Sequence, residues 1–146
     1  MITCLNSSSG ITSFSGNKSS SSNNVSLSKT INNPSVRSST AKDTKIKRVI
    51  LARDYTAVEI NSTIGNGLFY QWCSINRNTH IIVNGTHYTM TKAKGIAIAP
   101  DVTYFYAGQK DITFTLYFPP ITESATSMDL IESADSEWMF YGIKLR

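Results

Sequence analysis

The pattern of hydrophobic and polar positions after residue 41 is dominated by a period of two, which is typical of β-strands with one buried face. Residues 111–118 show it most clearly, because apolar side chains alternate there with polar or amphipathic ones. Residues 56–62 follow the same rule, and comparable short segments recur about every 8–12 residues. No helical periodicity extends beyond a turn or two. The pattern predicts an all-β fold, an antiparallel, immunoglobulin-like β-sandwich of about seven to nine short strands.

The strongest local signal is the pair Asn84-Gly85 between two apolar runs. This pair favours a two-residue type I′ turn, which requires positive φ at both central residues. The resulting register places His80 and His87 on the outer face of a hairpin, as diagonal neighbours. The predicted core face consists of Ile81, Val83, Tyr88 and Met90.

Composition divides the chain near Ala41. Residues 1–41 contain no acidic residue, and 14 Ser, 6 Asn and 4 Thr make up most of their length. Such a segment cannot bury enough apolar surface to offset the entropy of ordering its backbone. The sequence therefore predicts a disordered tail over residues 1–41 and a β-sandwich domain over residues 42–146.

The division also changes the meaning of the net charge of +4. Lys18, Lys29 and Arg37 give the tail +3, so the domain carries only +1. Its one basic cluster, at residues 42–48, is interpreted as a strand edge protected by lysines. A nearly neutral domain argues against a nucleic acid partner.

Membrane and cysteine chemistry are not indicated either. No segment approaches the roughly 20 apolar residues of a membrane helix, and the first ten residues lack the pattern of a secretory signal. Of the two cysteines, Cys4 lies in the tail and Cys73 in a predicted strand. We therefore expect no disulfide framework, no metal site built on cysteines, and a Cys73 that packs as a small hydrophobic residue.

Catalytic and cofactor motifs are scarce. The chain has no Gly-x-Ser-x-Gly sequence, and its acidic residues near the C-terminus are interpreted as solvated turn formers. His80 and His87 resemble part of a metal site, but a catalytic zinc ion needs three protein ligands and their predicted face offers no third. The sequence therefore predicts no cofactor and no enzymatic activity, with a small metal-dependent hydrolase that uses both histidines as an alternative.

Aromatic residues are the remaining candidates for binding. Tyr117 is predicted to point outward from its strand, and Tyr104, Tyr106 and Trp138 are further candidates for a contact surface. Amphipathic rings give large contact areas at a low entropic cost. The competing interpretation places most aromatic residues in the core, and Trp72 in particular as a core residue of the third predicted strand.

Three segments carry a family resemblance: residues 113–120 (TFTLYFPP), 127–132 (SMDLIE) and 138–145 (WMFYGIKL). Together they resemble a recurrent β-rich accessory domain of exported proteins of the Bacteroidetes, over about residues 45–146. The resemblance implies a non-catalytic unit attached to varied catalytic or redox partners, and it implies export or a place in the cell envelope. This sequence shows neither an evident export signal nor a partner domain, so the compartment stays open.

These observations predict a non-catalytic accessory or interaction module that binds a protein partner or a neighbouring domain. A carbohydrate-binding module that uses exposed aromatic residues is the alternative from another class. The sequence leaves the ligand and the oligomeric state open.

Overall fold

A computed structural model describes residues 28–63, 71–105, 108–134, 136 and 138–146. The regular elements in these ranges are all strands, and none is a helix. They are β1 (Lys29–Asn32), β2 (Val36–Ser39), β3 (Thr44–Leu51), β4 (Thr56–Thr63), β5 (Gln71–Cys73), β6 (His80–Val83), β7 (Thr86–Thr89), β8 (Lys92–Lys94), β9 (Thr103–Phe105), β10 (Asp111–Phe118), β11 (Ser127–Ile131) and β12 (Met139–Lys144).

The strands form two five-stranded antiparallel sheets. The first has the order β1-β3-β4-β10-β8 and the second the order β2-β12-β11-β6-β7, while β5 and β9 pair as a separate ribbon. Without β1 and β2, these orders are those of strands A-B-E-D and G-F-C-C′ in immunoglobulin domains. The predicted immunoglobulin-like β-sandwich is therefore confirmed, with more strands in the described residues than the sequence indicates.

One hydrophobic core joins the two sheets. The alternation predicted for β10 is confirmed, because Ile112, Phe114, Leu116 and Phe118 are all buried. The ring of Trp138, which precedes β12, lies 6.2 Å from that of Phe114 and so connects the sheets. This packing is the main source of stability, since apolar burial is the largest favourable term in folding.

The predicted β6–β7 hairpin is confirmed in its turn and in its register. Asn84 has a φ of 51° and Gly85 a φ of 84°, as a type I′ turn requires. Val83 pairs with Thr86, and each residue before it pairs in the predicted order. Ile81, Val83 and Met90 are buried and Tyr88 is partly buried, so the predicted core face is also confirmed.

The predicted boundary at residue 41 is wrong for the last part of the tail. β1 pairs with β3 at one edge of the first sheet, and β2 pairs with β12 at one edge of the second. Ile31 and Val36 are partly buried against the core. Composition does not reveal this pairing, because an edge strand needs few apolar side chains when the neighbouring strand supplies backbone partners. Residues 1–27, for which disorder is predicted, lie outside the described residues.

A β-bulge changes the inward face of β12. Strict alternation puts Ile143 and Leu145 on the face opposite Phe140, yet all three are buried. Two residues of β12, Tyr141 and Gly142, lie opposite the single residue Asp129 of β11. Gly142 has a φ of 64°, and its N–H donates to Oδ1 of Asp129 at 2.8 Å. An extra residue at this point turns the following side chains to the other face.

Two smaller expectations also fail. Residues 95–99 (GIAIA), whose apolar run predicts a short strand, contain only an isolated bridge between Ile98 and Ile75. Cys73 is buried as expected, but it is disulfide-bonded. The chain's other cysteine, Cys4, lies outside the described residues. The expectation failed because the spacing of cysteines along a chain does not show which of them the fold brings together.

Candidate functional site

The β5–β9 ribbon presents two large aromatic side chains to solvent. Trp72 is 54 % exposed and Tyr104 is 67 % exposed, and their Cα atoms are direct partners across the ribbon. Because directly opposed residues in an antiparallel pair lie on the same face, the two side chains share one surface. We call Trp72 and Tyr104 the aromatic pair.

The opposite face of the ribbon belongs to the core. Cys73 and Phe105 follow the aromatic pair in the chain, and both are buried. The ribbon therefore has one face covered by the sandwich and one face exposed. This places the aromatic pair outside the core by simple alternation along two short strands.

The competing interpretation, in which Trp72 is a core residue, is wrong. The sequence interpretation places both Trp72 and Cys73 in the core, although adjacent residues of a strand point to opposite faces. The available signal was Cys73 itself together with Ile75, since Cys and Ile are among the residue types most often fully buried. Putting those two inward turns Trp72 outward.

Trp138 is not accessible as a binding residue. It is 5 % exposed, stacks on Phe114 and meets the edge of Phe140 at a centroid distance of 5.1 Å. Trp138 and Phe140 are two residues apart, so an extended chain places both side chains on the same, buried face. Tyr106, another candidate, lies outside the described residues. Of the three candidates that the structure describes, Tyr104 has the exposed position.

Tyr117 points outward as predicted but is partly covered. Its ring meets that of Tyr55 edge-on at 5.5 Å, and Nζ of Lys92 lies 4.7 Å from its centroid. Burial raises the pKa of Tyr117 above the ordinary value of 10.0, and the neighbouring Tyr55 and Glu59 raise the pKa further. Tyr55 itself is 39 % exposed.

Charged side chains lie on the same outer face of the first sheet. Nε of Arg48 lies 2.7 Å from Oε1 of Glu59, its cross-strand partner. That oxygen has no aligned hydrogen bond, so the contact is an ion pair held by charge alone. At this degree of exposure such a pair contributes little to stability. The outer face of the first sheet is a mixed polar surface, and its described residues form no cluster of a single charge or residue type.

The two histidines meet as predicted, but they stack. Their ring centroids are 4.9 Å apart with planes 9° from parallel, and Nδ1 of His80 lies 2.9 Å from the carbonyl oxygen of Asn78. Ring-nitrogen lone pairs lie in the ring planes, so lone pairs in two parallel planes do not converge on one ion at the roughly 2.0–2.1 Å of a Zn–N bond. Within the described ranges, no group of three His, Cys, Asp or Glu residues is arranged to hold a metal.

One acidic side chain has a structural role that the sequence did not suggest. Glu132 is buried; its Oε2 accepts the Asn76 N–H at 3.1 Å and its Oε1 accepts the Ser136 hydroxyl at 2.7 Å. The carboxylate thereby joins the segment after β5 to the segment before β12. Its oxygens are used within the fold, whereas the sequence had suggested a solvated turn former.

The chain matches no protein-family model, no curated protein and no solved structure. The resemblance to an accessory domain of exported Bacteroidetes proteins therefore stays a prediction. Nor do the described ranges include a helix long and apolar enough to cross a membrane. Among the described residues, the aromatic pair is the most exposed large apolar feature of the surface.

Proposed function

We propose that this chain is a non-catalytic β-sandwich module that binds a protein partner or a neighbouring domain through the aromatic pair. The observation that carries the proposal is the exposure of Trp72 and Tyr104 side by side on one face of the β5–β9 ribbon. Trp and Tyr are the residue types most enriched among the side chains that dominate binding energy at protein interfaces.

The aromatic pair is not required by the packing of the fold. The core residues of the ribbon are Cys73 and Phe105, on its other face. Leaving two large rings in water forgoes stabilisation of about 25 cal/mol for each Å² of apolar surface. A partner that covers both rings would recover that stabilisation, which makes this surface a favourable place for contact.

A carbohydrate ligand is the second candidate, and the same geometry favours it. Flat rings presented side by side form a platform on which successive sugar rings of an oligosaccharide can stack through their apolar faces. A protein remains the first choice because the resemblance implies an accessory unit that accompanies other domains.

The test compares three forms of the full chain as bait in extracts of the cells that make it: wild type, the double variant Trp72→Ala/Tyr104→Ala, and Tyr55→Ala as the matched control. The control removes an exposed aromatic side chain from the connection between β3 and β4. A captured protein is then purified and titrated against each form. We expect the double variant to lose about tenfold or more in affinity and the control to keep wild-type affinity.

Two results would count against this proposal. Equal binding by the wild type and the double variant would remove the aromatic pair from the interface. Binding of an oligosaccharide on a glycan array, lost only in the double variant, would assign the surface to the carbohydrate alternative.

A further inference from the structure

The N-terminal strands occupy two sheet edges at once. β1 pairs with β3 in the first sheet, β2 pairs with β12 in the second, and a turn containing Asn33 at a φ of 48° joins them. We call residues 29–39 the N-terminal arm. The remaining strands of the two sheets already form a complete immunoglobulin-like arrangement, so the arm is an addition to both edges.

Backbone hydrogen bonds hold much of the arm. The Asn33 N–H donates to the Lys47 carbonyl at 2.8 Å, and the Lys144 N–H donates to the Ser35 carbonyl at 2.9 Å. Just beyond the arm, the Thr40 N–H donates to the Met139 carbonyl at 3.0 Å. Backbone bonds of this kind are available to any extended segment that lies along the same edge, which is how added strands bind exposed sheet edges.

The side chains of the arm make shallow contacts. No residue of β1 or β2 is fully buried, and the apolar positions that pack against the core are Ile31 and Val36. The arm can therefore leave without opening the buried core between the sheets. Elements with few buried apolar contacts open at lower free energy than the rest of a fold.

The two sheet edges nevertheless fit the particular sequence of the N-terminal arm. A Cβ atom at Gly142 would lie 2.7 Å from Cβ of Arg37, so the close approach of β2 depends on the glycine. Nζ of Lys29 donates to the Leu145 carbonyl at 2.9 Å. These contacts, with those of Ile31 and Val36, describe an occupant with the sequence of the arm itself.

We infer that the paired edges of β3 and β12 form a binding groove for an extended segment, and that its occupant in trans is the N-terminal arm of a second copy of this chain. Residues 40–43 connect the arm to β3 and include Asp43 at a φ of 53°. Extension of this connection would carry the arm to a neighbouring molecule. Exchange of an identical element between copies is a low-cost route to a dimer, because each contact already exists within one copy.

The experiment opens the groove in the full chain with the double variant Ile31→Asp/Val36→Asp and adds a fluorescent peptide of residues 28–41. We expect saturable binding, tighter by about tenfold or more than binding to the wild-type chain, whose own arm competes. The control peptide carries the same two Asp substitutions and should not bind. Mixing the variant with wild-type chain should also give a heterodimer in native mass spectrometry.

Absence of both peptide binding and heterodimer in a folded variant would overturn the inference. Hydrogen exchange of the wild-type chain covers the case in which the variant does not fold. Amides of β1 and β2 should exchange about tenfold or more faster than those shared by β4 and β10. Equal exchange of arm and core would show that the arm leaves only on global unfolding, and would also overturn the inference.

Discussion

The two tryptophans of this chain lie in contrasting surroundings. Trp138 is packed between the sheets against Phe114 and Phe140, whereas Trp72 lies on the outer face of the β5–β9 ribbon. In the residues directly after each tryptophan, buried and partly exposed side chains alternate with a period of two. The difference shows that alternation fixes which residues share a face, while the presence of a second layer decides whether that face is buried.

The largest effect in this comparison is expected inside the sandwich. Phe114→Ala should lower the free energy of unfolding by about 3–5 kcal/mol, because it removes a buried ring and leaves a cavity between the sheets. Urea denaturation followed by tryptophan fluorescence measures the change. A loss of less than about 1 kcal/mol, as at an ordinary surface position, would contradict the packing of the two sheets described above.

A smaller effect is expected at the β6–β7 turn. Gly85→Val should cost about 1–2 kcal/mol, because a β-branched residue is strained at a φ of 84°. A Cβ atom at this position would meet no neighbour within 4 Å, so the cost comes from the backbone alone. Gly85→Asn, which tolerates positive φ better, is the matched control and should retain more of the stability.

Tyr117 is intermediate between the core and the ribbon, since its outward ring is partly covered. A raised folded-state pKa means that the folded state retains the phenol proton more tightly than the unfolded state. This contribution to stability is complete below pH 10 and is lost as the pH rises through the folded-state pKa. The wild type should therefore lose more stability than Tyr117→Phe between pH 9 and pH 11. Stability is measured by urea titration at pH 9 and pH 11. Equal losses in the wild type and in Tyr117→Phe would contradict the partial burial of Tyr117.

The smallest effect on stability is expected in the ribbon. Trp72→Ala should change the free energy of unfolding by no more than about 0.5 kcal/mol, since the side chain is mostly in water. The melting temperatures of Trp72→Ala and Phe114→Ala, measured under the same conditions, compare the exposed aromatic residue with the buried one. A loss close to that of Phe114→Ala would mean that Trp72 is part of the core.

Much of the fold was predictable because its information is local. The alternation of β10 and the Asn84-Gly85 turn each depend on a few adjacent residues, and both were confirmed. The arm was missed because edge pairing is set by backbone groups of distant strands and leaves little trace in side-chain composition. The exposed position of Trp72 was missed because it depends on which side of the ribbon the sandwich covers.

For the candidate site residues, the strand register could be predicted from the sequence, but the side chains that pack around each residue could not. His80 and His87 were correctly brought together by counting from the turn, yet the stacking of their rings depends on side-chain conformation. Trp138 was proposed for a surface on its residue type alone, and the neighbouring sheet buries it. Residue type identifies what a side chain can do, while access to it is a property of the assembled layers.

The bulge at Gly142 resembles a shift of reading frame. Upstream of it, the even-numbered Phe140 faces the core; downstream, the odd-numbered Ile143 and Leu145 do. If Gly142 paired as an ordinary strand residue, without the bulge, strict alternation would turn both of those apolar side chains towards water. A single residue with no side chain therefore sets the inside and the outside of the final strand.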